Sequence, residues 1–330
     1  MIELAISFVV NNRKKMEVRI IDSVNEFPQF EAQNVFQTVE WMRLFEREEG
    51  TQVVLFAVYS VFNSRLLMVQ PVTINRYYRY LPSKFASYAV AWRKPWRAEN
   101  LADKDAVEAF ELMREEIVRY CRKRALYIEY RHFSESTIND AQWERKYRVL
   151  PWWNIYREFE AGEEVEKLMK RDKRRQLKQS LEAGVEVVLE PTTEQIVEWY
   201  GLLKRLYRRI HRPLPSVNVF LRLKELGIGR VFVVVYNGRI VSGSALLCCA
   251  IDDCRVFYEW YRASVDERIE GVYPSVVATW QALSLAAERG GRFDFMGAGP
   301  RDKTYGVRDF KLSFGGELTP EYRYRKLMLF

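Results

Sequence analysis

The stretch Arg292–Leu318 reads RFDFMGAGPRDKTYGVRDFKLSFGGEL and contains five of the chain's 16 glycines. Glycine at this density lets a backbone turn sharply and approach a ligand closely. The pattern predicts a short strand around Asp294 and then a turn at Gly297–Pro300. A second strand is predicted to carry Asp309–Lys311 into a bend at Gly315 and Gly316. A lysine between apolar residues, directly before a double glycine, is a candidate charge at a functional site.

The composition around this stretch is that of a globular protein with an excess of positive charge. With 330 residues and 48% hydrophobic residues, the chain can bury a core large enough for two domains. Its formal net charge is +8 and its isoelectric point is about 9.2. This charge suits an anionic partner such as a phosphate-bearing substrate, a nucleic acid or a membrane surface, although surface solubility explains it equally well.

Cysteine and histidine usage argues against metal and histidine-based chemistry. Cys248, Cys249 and Cys254 lie in an apolar strand pattern and have no ligand spacing, so buried thiols in a reducing compartment are favoured over a zinc site. The two histidines, His132 and His211, form no recognisable triad. We therefore expect no metal site.

No apolar run reaches the roughly 18 residues that a membrane-spanning helix requires. The N-terminal run ELAISFVV is short, and its basic residues follow it, which is the reverse of a secretory signal. We expect Met16 to be the natural start, with residues 1–15 an extension. The expected location is the cytoplasm, without a transmembrane segment, and the positive charge is compatible with peripheral contact with the inner membrane face.

The two halves of the chain repeat the same order of elements. The apolar runs Val53–Tyr59 and Arg230–Tyr236 each precede a turn and a second strand. Predicted helices at Asp103–Arg124 and Pro274–Arg289 each precede a further short strand. The repeat predicts two similar α/β domains with mixed sheets rather than one long sheet. We place the joint near Pro151, giving an N-terminal domain over 16–151 and a C-terminal domain over 152–330.

A predicted helix at Glu163–Glu182 is intensely basic in its middle. Its cations are Lys167, Lys170, Arg171, Lys173, Arg174, Arg175 and Lys178. The cluster favours a binding edge for a phosphate-rich ligand, and a solvated charged face is the alternative.

Several of these motifs resemble the FemABX-like family of peptidyl and aminoacyl transferases (FemAB or lipid II:glycine glycyltransferase type). The matching C-terminal segments are DFMG at Asp294–Gly297, GVR at Gly306–Arg308, FK at Phe310–Lys311 and FGG at Phe314–Gly316. The resemblance spans about 36 to 318, and the long coiled-coil arm of the staphylococcal-type enzymes is absent.

Two further segments carry the same resemblance. Lys170–Val185 is similar to the family's K-x-x-R-x-x-I-x-x-A-x-x-x-G-V helix, and FQTVEW at Phe36–Trp41 is similar to its F-Q-x-x-x-W opening. The resemblance implies two tandem GNAT-like (acyl-CoA N-acyltransferase) domains, the first for acceptor recognition and the second for catalysis. It also implies that Gln37 and Trp41 border the acceptor cleft.

The resemblance makes Lys311 the first candidate for catalysis, and Phe310 beside it a substrate-binding candidate. In acyl transfer an amine attacks a carbonyl, and a nearby cation can stabilise the developing oxyanion by roughly 3 kcal/mol. Asp294 and Asp309 are the nearest candidate carboxylates in sequence and could receive the amine proton. The alternative is that one of them pairs with Lys311 to hold the loop.

The remaining candidate residues bind substrate. Tyr258 and Trp260 lie on a strand that lines the acceptor channel in the resembled family, although their alternation also fits a packed strand. Tyr207, Arg208 and Arg212 fall where that family contacts the acceptor phosphate.

The segment RIEGVY at Arg268–Tyr273 resembles the (Q/R)-x-x-G-x-(G/A) loop with which GNAT enzymes bind a pyrophosphate at a helix N-terminus. Arg268 and Gly271 fit that pattern, but Tyr273 replaces the final small residue and argues against close packing of coenzyme A. An ordinary loop before a helix is the alternative.

These observations together predict an acyltransferase that moves an aminoacyl or acyl group from an activated carrier to an amine. The resemblance favours aminoacyl-tRNA as carrier and a peptidoglycan precursor as acceptor. An acyl-CoA-dependent N-acetyltransferase acting on a small amine or sugar is one alternative, and a non-catalytic protein that binds an anionic ligand is another. No permanently bound cofactor is expected, because aminoacyl-tRNA or acyl-CoA would be a co-substrate.

Overall fold

The computed structural model describes residues 15–77, 82–133, 146–248 and 256–328. Its strands are β1 Met16–Ile21, β2 Thr51–Ser60, β3 Leu66–Arg76, β4 Ser87–Trp92, β5 Trp96–Arg97, β6 Tyr127–Phe133, β7 Arg148–Phe159, β8 Glu186–Val188, β9 Gly229–Tyr236, β10 Arg239–Cys248, β11 Val256–Ser264, β12 Gly291–Asp294 and β13 Glu317–Leu327. Its α-helices are α1 Val39–Phe45, α2 Ser83–Ala86, α3 Asp103–Arg122, α4 Val165–Leu168, α5 Arg171–Glu182, α6 Thr193–Arg209, α7 Val217–Glu225, α8 Pro274–Arg289 and α9 Gly306–Leu312.

The strands form one continuous 13-stranded sheet in the order β1-β2-β3-β4-β6-β13-β7-β12-β11-β10-β9-β8, with β5 paired to β3. The β4–β6 and β11–β12 pairs are parallel, and the other pairs are antiparallel. The order of strands and helix along the chain, which repeats in the two halves, was predicted correctly from the sequence. The expectation that the repeat excludes one long sheet was wrong, because strands of the two halves pair with each other.

The sheet is continuous because the halves exchange strands. β7 follows β6 in sequence but pairs with β12 of the second half, whereas β13 follows β12 but pairs with β6 of the first half. β7 and β13 pair with each other between them. The predicted boundary between residues 151 and 152 therefore lies inside β7, and the assignment of separate roles to the two halves stays a prediction.

Helices cover both faces of the sheet. Alternate residues of β2 face opposite sides: Val53 and Leu55 join a core with α1, α6 and α7, whereas Val54 and Phe56 pack against α3. In the second half, α8 closes a third core over β9–β12. The core that contains α1, α6 and α7 draws residues from both halves. None of the described helices has the length and apolar content that crossing a membrane requires.

Three predicted elements differ in the structure. The basic helix Glu163–Glu182 is two helices, α4 and α5, because Met169 and Lys170 are extended and the Lys170 amide donates to the Ser313 carbonyl at 2.9 Å. The α3 helix ends at Arg122 rather than Arg124. The strand predicted over Asp309–Lys311 is the helix α9, whose Phe310 ring packs on Phe314 one turn later at 5.1 Å.

Candidate active site

The site begins where the parallel pairing of β11 and β12 ends. The ladder stops at Tyr258 and Asp294, and β11 then carries a bulge opposite Ala245 and Leu246 of β10. Met296 and Gly297 follow β12 with positive φ values of 58° and 118°, which turn the chain away from the sheet. A side chain at position 297 would place its Cβ about 3.1 Å from Trp152 Nε1, so glycine is needed there for space as well.

A surface pocket of about 270 Å³ lies beside the point where the pairing of β11 and β12 ends, at the N-terminus of α8. Its wall is built from the β11–α8 loop, the first turn of α8, the middle of α5 and the α9 residue Phe310. Arg268, Gly271 and Phe310, which the sequence predicts as substrate-binding, all line it. Lys173 and Gln176 of α5 complete the wall, and the sequence analysis did not place these two near Arg268.

The electrostatics of this pocket favour an anion. The first turn of α8 contains no acidic residue and has no side-chain cap, so its amide N–H groups retain the partial positive charge of a helix N-terminus. Arg268 is exposed at the rim, and Lys173 Nζ lies 5.5 Å from the centre of the Phe310 ring. The Tyr273 amide donates to Ser180 Oγ at 2.9 Å, which fixes the loop against α5. The one carboxylate in the lining is Glu267.

Lys311 directly follows the pocket residue Phe310 in sequence but does not line the pocket itself. The residue is 7% exposed, and its ammonium donates to the carbonyls of Phe295 at 2.8 Å and Gly297 at 2.9 Å. Burial lowers the pKa of Lys311, and the carboxylate of Glu259, 3.7 Å away, opposes that shift. The ammonium therefore holds the glycine turn in place, and its predicted direct role in charge stabilisation stays a prediction.

Glu259 is a site residue that the sequence analysis missed. It is 7% exposed on β11, next to the bulge, and is paired with Lys311 and with Arg262 at 3.5 Å. Its Oε1 atom accepts no hydrogen bond among the described residues. The sequence did contain a signal for this residue: a carboxylate that lies between two aromatic residues, Tyr258 and Trp260, in a predicted strand.

The two predicted catalytic aspartates differ sharply in their surroundings. Asp294 is 1% exposed and accepts from Arg93, from Asn154 Nδ2 at 3.0 Å and from the Met296 amide at 2.7 Å. Asp309 lies in the first turn of α9 and is exposed. Asp294 thus joins the two halves and orders the turn that Lys311 holds from the other side.

Further arginines lie where the exchanged strands meet. Glu129 of β6 is completely buried and pairs with Arg131 at 2.5 Å and Arg325 at 2.5 Å, with Arg323 at 3.8 Å. Burial alone would raise the pKa of Glu129, but the three guanidinium groups lower it to about 2. Burial, and after it the neighbouring Arg131, lower the pKa of Arg323 to about 9 despite the attraction of Glu129. Arg131 and Arg212 thus repel the charge of Arg323, while Glu129 and Glu321 attract it.

Arg323 also lies directly against the glycine turn. Its guanidinium stacks on the Trp152 ring at 3.8 Å, and its Nη2 lies 3.2 Å from the ideal Cβ position of Gly297. Its Nε atom has no hydrogen-bond partner among the described residues. The turn thus has Lys311 on one side and Arg323 on the other.

The predicted acceptor-binding residues fall into two groups. Gln37, Trp41 and Tyr258 are buried: Gln37 donates to the Lys94 carbonyl at 2.9 Å, and the Arg93 guanidinium lies 5.0 Å from the centre of the Tyr258 ring. Trp260 is half-buried and packs against Trp41 at 5.5 Å. These four side chains fill the core between the halves, so a contact with substrate stays a prediction.

The second group lies on and after α6. Tyr207 is half-buried and packs against Tyr261 at 5.3 Å, and burial raises its pKa well above the usual value. Arg208 and Arg212 are exposed. Arg212 influences the pKa values of Tyr88, Tyr207 and Arg323, which places it near the buried arginines. No group of three or more potential metal ligands occurs in the described part of the chain.

Comparisons with known proteins agree with the fold described above. The family model of the acetyltransferase (GNAT) domain matches residues 167–311, and no curated protein matches the sequence significantly. The crystal structure of FemX superimposes with a TM-score of 0.61 at 15% identity, covering 87% of this chain and 90% of that one. A tandem GNAT protein from the clavulanic acid biosynthesis pathway gives 0.57 at 9% identity, covering 95% and 99%.

A third solved structure is the C-terminal domain of a putative lysylphosphatidylglycerol synthetase from Agrobacterium fabrum. It gives a TM-score of 0.54 at 13% identity, covering 89% of this chain and 88% of that one. At these identities the likeness shows the fold. The match to an acetyltransferase domain supports a transferase. The chain has the double GNAT fold seen in FemX and in tandem GNAT proteins, and its second half carries the GNAT acetyltransferase domain.

Proposed function

We propose that this protein transfers an aminoacyl or acyl group from a phosphate-bearing carrier to an amine, with aminoacyl-tRNA as the favoured carrier. The observation that carries the proposal is the pocket at the N-terminus of α8, where Arg268 and Lys173 flank amide groups that favour an anion. The glycine turn with Lys311 and Glu259 adjoins this pocket through Phe310. A carrier phosphate bound there would present its acyl group toward the turn.

The preference for aminoacyl-tRNA rests on two features of the second half. Tyr273 lines the pocket where a coenzyme A arm would need a small residue. On the adjoining helix α5, Arg171, Arg174 and Arg175 are exposed and have no ion-pair partner among the described residues. A row of free cations beside a phosphate pocket suits a polyanion, whose backbone charges it can neutralise one by one.

The arginines near the glycine turn, Arg323, Arg131 and Arg212, support an anionic acceptor. A phosphate-bearing acceptor that enters between the halves would meet Arg323 and Arg212, and its amine could approach the turn at Gly297. We propose a cell-wall-precursor-like acceptor of this class, a cytoplasmic location and peripheral contact with the inner membrane face. The likeness to FemX and to the putative lysylphosphatidylglycerol synthetase domain supports a general aminoacyl or acyl chemistry and no particular acceptor.

Glu259 is the best-placed group to receive the amine proton. Asp309 is exposed and Asp294 is already engaged by Arg93, whereas Glu259 retains a buried oxygen without a hydrogen-bond donor. As the amine attacks the ester carbonyl of the carrier, the amide C–N bond forms and the ester C–O bond breaks. A positioned carboxylate can take the amine proton and return it to the oxygen of the departing carrier hydroxyl. Lys311, held 3.7 Å from Glu259, fixes the orientation of that carboxylate.

The decisive experiment supplies the protein with radiolabelled aminoacyl-tRNA and, separately, radiolabelled acetyl-CoA, each with a mixture of amine acceptors. Transfer from aminoacyl-tRNA that falls at least tenfold in Arg268→Ala supports the proposal. Transfer from acetyl-CoA alone would replace the favoured carrier and leave the reaction type intact. Binding of both carriers without transfer would show a non-catalytic binding protein. The control is Lys303→Ala, which removes an exposed cation outside the pocket.

A further inference from the structure

A second pocket, of about 350 Å³, lies on the first half, against the C-terminal part of α3. Five cations line it with one carboxylate: Arg114, Arg119, Arg122, Lys146, Lys326 and Glu115. The pocket shares no lining residue with the pocket at α8. It belongs to the part of the sheet that α3 covers, whereas α8 covers the strands of the second half.

The charges in this second pocket are only partly compensated within the protein. Arg114 pairs with Glu111, and Arg119 pairs with Glu116. Arg122, Lys146 and Lys326 have no ion-pair partner among the described residues, and Glu115 is the one carboxylate in the lining. Like charges that line one pocket repel one another, and an anion bound among them would offset that repulsion.

Three elements that are distant in sequence build the second pocket. α3 supplies a stripe along one face, β13 supplies Lys326 near its end, and Lys146 lies two residues before the start of β7. Lys326 Nζ lies 5.5 Å from the centre of the Tyr147 ring, and the Tyr147 hydroxyl accepts from Arg114 at 3.1 Å. Tyr147 is 5% exposed, so it forms a rigid base beneath the cations. Burial, and then Arg114, Lys146 and Arg122, lower the pKa of Lys326.

We propose that this second pocket is a binding site for a phosphate or diphosphate group, separate from the carrier pocket at α8. Its volume falls in the range of small-ligand sites, and arginine side chains match phosphate oxygens in geometry as well as charge. The group could belong to a free phosphorylated metabolite or to an anionic lipid headgroup. Both present the same oxygens to the same side chains.

The test measures binding of inorganic pyrophosphate to the full-length protein by isothermal titration calorimetry. The reference protein carries Arg268→Ala alone, which weakens pyrophosphate binding at the α8 pocket. It is compared with the same protein carrying Arg122→Ala/Lys326→Ala in addition and with a charge-matched control carrying Lys104→Ala/Lys303→Ala in addition. We expect the pocket variant to weaken binding at least tenfold and the control to change it less than twofold. Equal losses in both double variants, or no binding to the wild-type pocket at millimolar pyrophosphate, would overturn the proposal.

A second arm distinguishes the two sources of the phosphate. Sedimentation with vesicles that contain phosphatidylglycerol is compared with vesicles of phosphatidylcholine alone. Binding to the anionic vesicles that the pocket variant loses and the control retains identifies a lipid headgroup. Pyrophosphate binding without pocket-dependent vesicle binding identifies a free phosphorylated ligand. Because catalysis is not measured in either arm, failure here leaves the proposed transferase reaction untouched.

Discussion

The two halves of the protein place a helix at the same point of the repeat, and the N-termini of these helices differ in charge. The first turn of α3 contains Asp103 and Asp105, and Arg97 donates to Asp103 at 2.8 Å. The first turn of α8 contains no acid and faces a pocket flanked by Lys173 and Arg268. Carboxylates in the first turn complement the positive end of α3, whereas no carboxylate lies in the first turn of α8. Shared architecture therefore does not imply a shared site.

Separating the two halves is expected to have the largest effect on folding stability. A fragment of residues 16–151 loses β13, which covers β6 and contributes Tyr324 to the core beneath α3. We expect the fragment to be unfolded or aggregated, because β6 becomes an exposed edge and its apolar residues lose their partners. Circular dichroism and urea titration of the fragment provide the measurement.

The control for this separation is co-expression of residues 16–159 with residues 160–330, which retains every strand. We expect the two pieces to associate into one folded complex. A cooperative unfolding transition for the isolated 16–151 fragment would contradict the view that strand exchange joins the halves into one folding unit.

Replacing Lys311 by alanine tests the glycine turn of the second half. The carbonyls of Phe295 and Gly297 lose their donor, and Glu259 loses one of its two cationic partners and keeps Arg262. We expect the rate of transfer to fall about 10²–10³-fold, the loss that follows removal of one group that stabilises the transition state. Single-turnover kinetics measure the rate, and fluorescence anisotropy measures carrier binding, which should change less than threefold. Transfer at the wild-type rate would remove Lys311 from the mechanism.

Replacing Glu129 by glutamine tests whether this carboxylate stabilises the buried arginines between the halves. Its folded pKa of about 2 lies below the unfolded value of 4.5, so its stabilisation is present above pH 4.5 and is lost as the pH falls towards 2. We expect Glu129→Gln to lower the free energy of unfolding at pH 7 by about 3 kcal/mol, a shift of two to three pKa units. Urea titrations between pH 2 and 7 should show the difference from wild type vanish at the acid end.

The control for this substitution is Glu182→Gln, which removes an exposed partner of Lys178. Surface pairs of this kind contribute about 0–1 kcal/mol. If Glu129→Gln costs no more than Glu182→Gln at pH 7, the buried arginines are stabilised by something other than this carboxylate.

The repeat and the order of helices and strands along each half could be predicted because each is encoded locally, and so could the proximity of Arg268 and Gly271. Arg268 and Gly271 are three residues apart, and a single loop brings them into one pocket. Lys173 joins them only because α5 packs against α8, a contact that no short pattern encodes.

The exchange of β7 and β13 could not be predicted either, because no short sequence pattern encodes which strands pair. Either strand could complete either half without changing its alternation of apolar and polar residues. The partners of Asp294 follow from this exchange: Asn154 lies on β7, and Arg93 follows β4 of the first half. A sequence that suggested Asp294 as a catalytic group therefore gave no sign that it joins the halves.

The smallest expected effect tests the opening comparison directly, by giving α8 the charge of α3. Ser275→Asp places a carboxylate in the first turn of α8, where Ser275 lines the pocket. A carboxylate there stabilises the helix while it repels a bound phosphate, so weaker carrier binding cannot be attributed to unfolding. We expect carrier binding to weaken about tenfold, which corresponds to about 1.4 kcal/mol.

The control is the reciprocal change, Asp105→Ser in α3. It should leave carrier binding unaltered, because α3 does not line the α8 pocket and its first turn keeps Asp103 and the bond to Arg97. Equal effects of the two substitutions on carrier binding would mean that overall charge, rather than the N-terminus of α8, attracts the carrier.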